Sequence, residues 1–119
     1  MKTINEMQQE VDQYIQQFKT GYFSPLAQMA RITEEVGELA REVNHSYGEK
    51  QKKKEEPENS VEQELADVFI TLIMLANSLE IDLTEAFNQS MQKFQVRDRY
   101  RFERRDGKTD PKEGDSSCK

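Results

Sequence analysis

The chain has 119 residues, a hydrophobic fraction of 34% and a net charge of −6. That is one domain's worth of residues with a thin apolar supply, which points to some disorder and to a core completed by self-association. The charge argues against binding to a nucleic-acid polymer. The N-terminal segment MKTINEMQQEVDQ lacks an apolar signal core, the apolar run at 68–76 is too short to span a bilayer, and Cys118 is the only cysteine, so a cytoplasmic protein without membrane or disulfide is the expectation.

Helical spacing recurs along the chain and no stretch alternates for strand length, so an all-α fold of four helices is predicted, a bundle completed by oligomerisation. The first helix starts at Thr3, with Glu6 completing a capping box, and Ile4, Met7, Val11, Tyr14, Ile15 and Phe18 follow before Gly21. Ser24 and Pro25 open a second helix reaching about His45. Tyr22 and Phe23 just before it read as a hydrophobic staple, with stacking on a base as the functional alternative. Residues 48–59, GEKQKKKEEPEN, read as a mobile charged loop whose lysines Lys52, Lys53 and Lys54 are solvated. Ser60 with Gln63 caps a third helix to about Glu80, and Asp82 with Glu85 starts a fourth that carries Leu83, Phe87, Met91 and Phe94 on one face. A single domain over 1–103 and a disordered tail over 104–119 follow. His45 is expected to face solvent or cap a carbonyl, and Met29, Met74 and Met91 to fill the core.

The acids are the informative residues. On the second helix an apolar stripe centres on Val36, and Glu35, Glu38 and Glu42 gather on its flank while Glu34 points away. The third helix is apolar nearly all round, with a narrow polar notch of Glu64, Asp67, Thr71 and Ser78. Buried acids must be paired, protonated or metal-bound, and Arg31 is the one cation near them on these two helices. An E-x-x-E spacing is common on solvated faces, so the residues alone leave two readings open: a solvated face or a carboxylate metal site. Oxygen-only ligands suit Mg²⁺ or Mn²⁺ rather than zinc.

The run Glu34-Glu35-Val36-Gly37-Glu38-Leu39, followed after 25 intervening residues by Glu64-Leu65-Ala66-Asp67-Val68, resembles the MazG-type all-α nucleotide pyrophosphohydrolases, closest to their short, single-domain, YpjD-like bacterial members. The stretch 75–83, LANSLEIDL, is also similar, and the likeness covers about 24–100. The resemblance implies that Glu35, Glu38, Glu64 and Asp67 ligate Mg²⁺. It implies attack by water, cleaving a nucleoside triphosphate between the α and β phosphates to the monophosphate and pyrophosphate, in a house-cleaning role. Glu38 is the candidate base, with Glu34 the alternative. The resemblance further implies a homodimer or homotetramer. Many relatives bring a lysine on the fourth helix to the phosphates; that position is Ser90 here, which leaves Lys93 and Arg97 as the candidate phosphate ligands, against a helix-dipole role for those cations. The chain has no Trp for base stacking, so base preference stays open. Three other readings compete. A di-iron bundle would need Glu-x-x-His motifs that are absent. The remaining two are a non-catalytic helical interaction protein and a phosphoribosyl-ATP pyrophosphohydrolase-like enzyme.

Overall fold

The computed structural model describes residues 1–48 and 60–114. The loop expected at 48–59 therefore lies outside the described residues apart from Gly48, as does the end of the tail. Among the described residues there are helices and no strand: α1 (Ile4–Ile15), α2 (Pro25–Tyr47), α3 (Val61–Ser78), α4 (Leu83–Arg97) and the single turn α5 (Pro111–Gly114). No described helix is long and apolar enough to cross a membrane. The chain divides into two compact units, Met1–Leu83 and Thr84–Lys119.

Local chemistry sets the helix starts. Thr3 and Ser60 each form a complete capping box, with Glu6 and Gln63 respectively, and Ser24 caps α2 with Pro25 at its first turn. The end of α1 comes earlier than its apolar spacing predicts. Past Ile15 the backbone bonds tighten to three-residue steps, Gln17 N to Tyr14 O and Phe18 N to Ile15 O, and Phe18 leaves the helix. At the end of α3, Glu80 takes a left-handed φ of 57°. Its N–H bonds to the Asn77 carbonyl and that of Ile81 to the Ala76 carbonyl, the paired closure usually built around glycine.

Within the first unit α3 packs mainly on α2 and also on α1. The α1 contact is a polar network. Gln8 Nε2 donates to Asn77 Oδ1 and the Ile81 carbonyl, Asn77 Nδ2 donates to the Gln8 carbonyl and Tyr22 Oη, and Tyr22 Oη donates to Asp12 Oδ1 at 2.7 Å. Burial and the Asp12 carboxylate push the Tyr22 hydroxyl up to about 12, so it stays a proton donor. The expected staple at the start of α2 is polar instead: Gln28 Nε2 donates to the Phe23 carbonyl at 2.8 Å. Phe23 itself is exposed.

The α2–α3 contact reverses the expectation drawn from hydropathy. The side chains closed between these helices include two polar lines spaced by seven residues, Gln28–Glu35–Glu42 on α2 and Glu64–Thr71–Ser78 on α3. One residue further along each helix runs an apolar line, Met29–Val36–Val43 and Leu65–Leu72–Leu79, and all six side chains remain 41–54% exposed. Each apolar line is rotated by about 100° from its polar neighbour. The contacts Gln28–Ser78 and Arg31–Met74 show the helices antiparallel, which brings both rotations to the same side of the pair. Buried apolar residues are few among the described residues: Ile32, Ile73 and Ala76. Met29 thus lies on an outward line rather than in the core, and His45 is half-buried rather than solvent-facing.

In the second unit, α4 carries Phe87, Met91 and Phe94 on one exposed face, so Met91 is not core filler either. Beyond 104, where composition predicts disorder, the described residues carry a turn. Arg104 grips Asp106 with two nitrogens, Asp106 also accepts from the Lys108 N–H, and Gly107 supplies a φ of 74°. Asp110 Oδ1 accepts from the Lys112 N–H at the start of α5.

Candidate metal centre

The acids meet where the middle of α2, at Glu35, faces the first turns of α3, at Glu64 and Asp67. Glu35, Glu64 and Asp67 each offer one carboxylate oxygen, and these atoms lie within 4.8 Å of one another. Glu64 is 3% exposed, Glu35 is half-buried and Asp67 faces solvent. Glu64 and Asp67 share a face because they sit three residues apart, and Glu35 reaches them from the facing helix. Glu38, one turn along α2, is exposed and lies outside that trio, but hydrogen-bonds to Glu64. Glu34 is exposed and touches the centre only as a weak repulsion on Glu35. Glu42, predicted on the same flank, is buried further along the polar line.

The electrostatics are those of acids crowded together, with Arg31 as a partial offset at Glu35. The Glu64 carboxyl is pushed above the ordinary carboxylate range by burial first, then by the charges of Glu38, Asp67 and Glu35, with the Glu38 hydrogen bond adding to it. Burial also raises Glu35, reinforced by Glu38 and Asp67 and only partly offset by Arg31. Two buried oxygens, Glu35 Oε2 and Glu64 Oε2, have no hydrogen-bond partner. A buried acceptor left unanswered costs about 1–3 kcal/mol. Converging hard oxygens with unfilled lone pairs fit a divalent cation such as Mg²⁺, whose ligands are carboxylates and water.

Toward the start of α2 and the end of α3, the polar groups are an amide and hydroxyls. Gln28 spends both Nε2 hydrogens, on the Phe23 carbonyl and on Ser78 Oγ at 2.9 Å, and Ser78 passes its own proton to the Leu75 carbonyl. Gln28 Oε1 is buried without a partner. Thr71 Oγ1 bonds back to the Val68 carbonyl. Hydropathy gives no reason to bury Gln28 and Glu42; their seven-residue spacing from Glu35 is the signal that places all three on one line.

Lys93 and Arg97, the phosphate candidates, belong to the second unit. Lys93 Nζ lies 5.3 Å from the centre of the Phe94 ring, and Arg97 is committed to Asp98 through two bonds of 3.0 Å.

Residues 23–102 match the MazG nucleotide pyrophosphohydrolase domain. YpjD of Bacillus subtilis strain 168, an uncharacterised protein, is 59% identical over 105 residues, covering 88% of this chain and 95% of that one. The crystal structure of B. subtilis YpjD, described as a candidate pyrophosphatase, has a TM-score of 0.74 at 60% identity, covering 81% of this chain and 98% of its own. The crystal structure of a Bacillus-conserved MazG protein, a nucleotide pyrophosphohydrolase, has a TM-score of 0.71 at 60% identity, with 82% and 94% covered. Two acid pairs on antiparallel helices, in a chain matched by that domain over most of its length, place this protein in the MazG nucleotide pyrophosphohydrolase family: it is a hydrolase of nucleotide pyrophosphate bonds.

Proposed function

We propose that the chain is a Mg²⁺-dependent nucleoside triphosphate pyrophosphohydrolase that clears unwanted NTPs or dNTPs from the nucleotide pool, releasing the monophosphate and pyrophosphate. The observation that carries this reading is the convergence of Glu35, Glu64 and Asp67 with two buried, unanswered oxygens. These three residues would hold Mg²⁺, or Mn²⁺ in its place, with Glu38 beside them. A divalent cation, when bound, supplies positive charge to phosphoryl oxygens and makes a nearby water more acidic.

The protein's own groups supply the rest. Glu38 is exposed at the edge of the trio and hydrogen-bonded to Glu64, so its carboxylate is in place to accept the proton of an attacking water. Glu34 is the alternative base, disfavoured by its position around the helix. Lys93 and Arg97 are proposed to meet the phosphates; for Arg97 that requires giving up Asp98. The matched domain runs across both units of the chain, which supports one functional domain over 1–103.

The outward line Met29–Val36–Val43 with Leu65–Leu72–Leu79 supports self-association into a dimer or tetramer. Covering a half-exposed aliphatic side chain is worth roughly 1 kcal/mol, so six in one patch are a strong drive to find a partner surface.

A panel of nucleoside triphosphates, with Mg²⁺ and with EDTA, tests the reaction when pyrophosphate and orthophosphate are measured separately. Mg²⁺-dependent pyrophosphate from the wild type, lost in Glu38→Gln and Asp67→Asn, is the expected result. Orthophosphate alone would mean that a different bond is cut. No product, with no change in melting temperature on adding Mg²⁺, would sink the reading.

A further inference from the structure

Among the described residues of α1 to α3 and their connections, the cationic side chains are Lys2, Lys19, Arg31 and Arg41. Lys2 is paired with Glu10, and Lys19 lies in the turn after α1. Arg41 is rotated by about 120° around α2 from Glu35, whereas Arg31, four residues before Glu35, lies within about 40° of it. Arg31 is therefore the cation on the carboxylate side of α2. Its charge is felt at Glu35, yet the two form no ion pair. Its hydrogen bond is to Met74 Sδ, at 4.0 Å. A thioether is a weak acceptor for a group with five N–H donors.

That is an unusual way to leave an arginine whose charge reaches Glu35. A structural role would have it bridge Glu35, which would answer a buried oxygen; instead Glu35 Oε2 stays without a partner. Arg31, with Tyr22, Gln28, Thr71 and Met74, lines a cavity of about 40 Å³ and is exposed as a residue. That volume takes a few water-sized groups and not a nucleobase. The cavity is too small for the substrate itself, and the exposed Arg31 beside it reaches Glu35 by its charge. A triphosphate adds several negative charges to a place already made of Glu35, Glu38, Glu64 and Asp67, and cations held by those acids offset only part of the sum.

We propose that Arg31 is a substrate-binding residue whose guanidinium grips a phosphate oxygen of the nucleotide held at the carboxylates. This rests on the nucleotide reading above. Arginine suits the task because its planar fork matches a phosphate with two parallel bonds and keeps its charge at any working pH. The thioether contact holds the guanidinium in reach at little cost, since exchanging it for phosphate oxygens loses a weak bond and gains charge-assisted ones.

The test uses the full chain, wild type and with Arg31→Ala and Arg31→Lys. The probe is an α,β-methylene nucleoside triphosphate, which is not cleaved at that bond, titrated calorimetrically with Mg²⁺. Mn²⁺ binding without nucleotide and the far-ultraviolet melting curve are measured in parallel. Arg31→Ala should weaken analogue binding about 10- to 100-fold, the range for losing a hydrogen bond to a charged group, while Mn²⁺ binding and the melting curve stay as in the wild type. Arg31→Lys should recover part of the loss. Wild-type affinity in Arg31→Ala would overturn the proposal, and so would an equal loss of Mn²⁺ binding, which would make Arg31 a positioning group for Glu35. A wild-type chain that binds no analogue overturns the nucleotide reading, and this proposal with it.

Discussion

Two sets of seven-residue lines run side by side along α2 and α3, and their burial is opposite to their hydropathy. Gln28, Glu42, Glu64 and Thr71 are closed inside the helix pair, while Met29, Val36, Val43, Leu65, Leu72 and Leu79 meet solvent. Hydrophobic burial alone would have rotated both helices by one residue. The cost of the observed rotation shows as inner-line oxygens without a partner, one on Gln28 and two on the facing acids Glu35 and Glu64. A contact made this way gathers the candidate metal ligands inside the helix pair and leaves its apolar lines exposed. Polar contact for architecture looks different: along α1 and α3, Gln8, Asn77, Tyr22 and Asp12 answer one another donor to acceptor.

The sharpest way to separate the lines is to change one and leave the other. Glu64→Gln removes a charge from the inner line. Its activity should fall by at least about 100-fold, beyond the 10–100-fold typical of groups that only support a ligand. Its apo form should melt no lower than the wild type, because a repelled, buried carboxylate has gone. A lower apo melting temperature would mean that Glu64 is stabilising, contrary to its surroundings. Leu72→Asp breaks the outer line. It should yield monomers by light scattering and lose about 2–3 kcal/mol of apparent stability; an unchanged oligomer would show that this line is not an interface. Asn77→Ala touches neither line but opens the α1 network, leaving Gln8 and Tyr22 without their partner, and should cost about 2 kcal/mol in denaturant titration without altering metal affinity. The smallest effect is on pH dependence. Glu35 and Glu64 bind protons more tightly folded than unfolded, so apo stability should decline as pH rises from the ordinary carboxylate value of 4.5 through their raised values, then level off. Glu64→Gln should flatten that decline, and saturating Mg²⁺ should abolish it; a wild-type curve that rises over the same window would contradict the burial of both acids.

Much of this was legible in the residues. Caps at Thr3, Ser24 and Ser60 are local side-chain-to-backbone bonds, set within three residues, and the helices begin where those residues stand. The E-x-x-E and E-x-x-D spacings are equally local, and the fold brings three of the four acids into one cluster with Glu38 at its side. What periodicity cannot convey is direction. It marks the polar and apolar sides of α3 but not which of them meets α2, because that depends on a partner elsewhere in the chain. For the same reason the bonds from Gln8 to Asn77 and from Gln28 to Ser78, between residues 69 and 50 positions apart, leave no trace in any window of sequence. The early end of α1 and the turn at Arg104–Asp106 are short-range, but they turn on single bonds that a hydropathy pattern does not register.

Tyr22 gives the α1 contact an optical signature. Its hydroxyl, pushed up to about 12 by burial and by Asp12, absorbs as a neutral phenol until the solution is strongly alkaline. If α1 lifts away from α3, both causes vanish together and the phenolate band should appear at lower pH. One side chain, at the entry to α2, therefore reports in the near ultraviolet on the docking of a helix that carries none of the clustered acids.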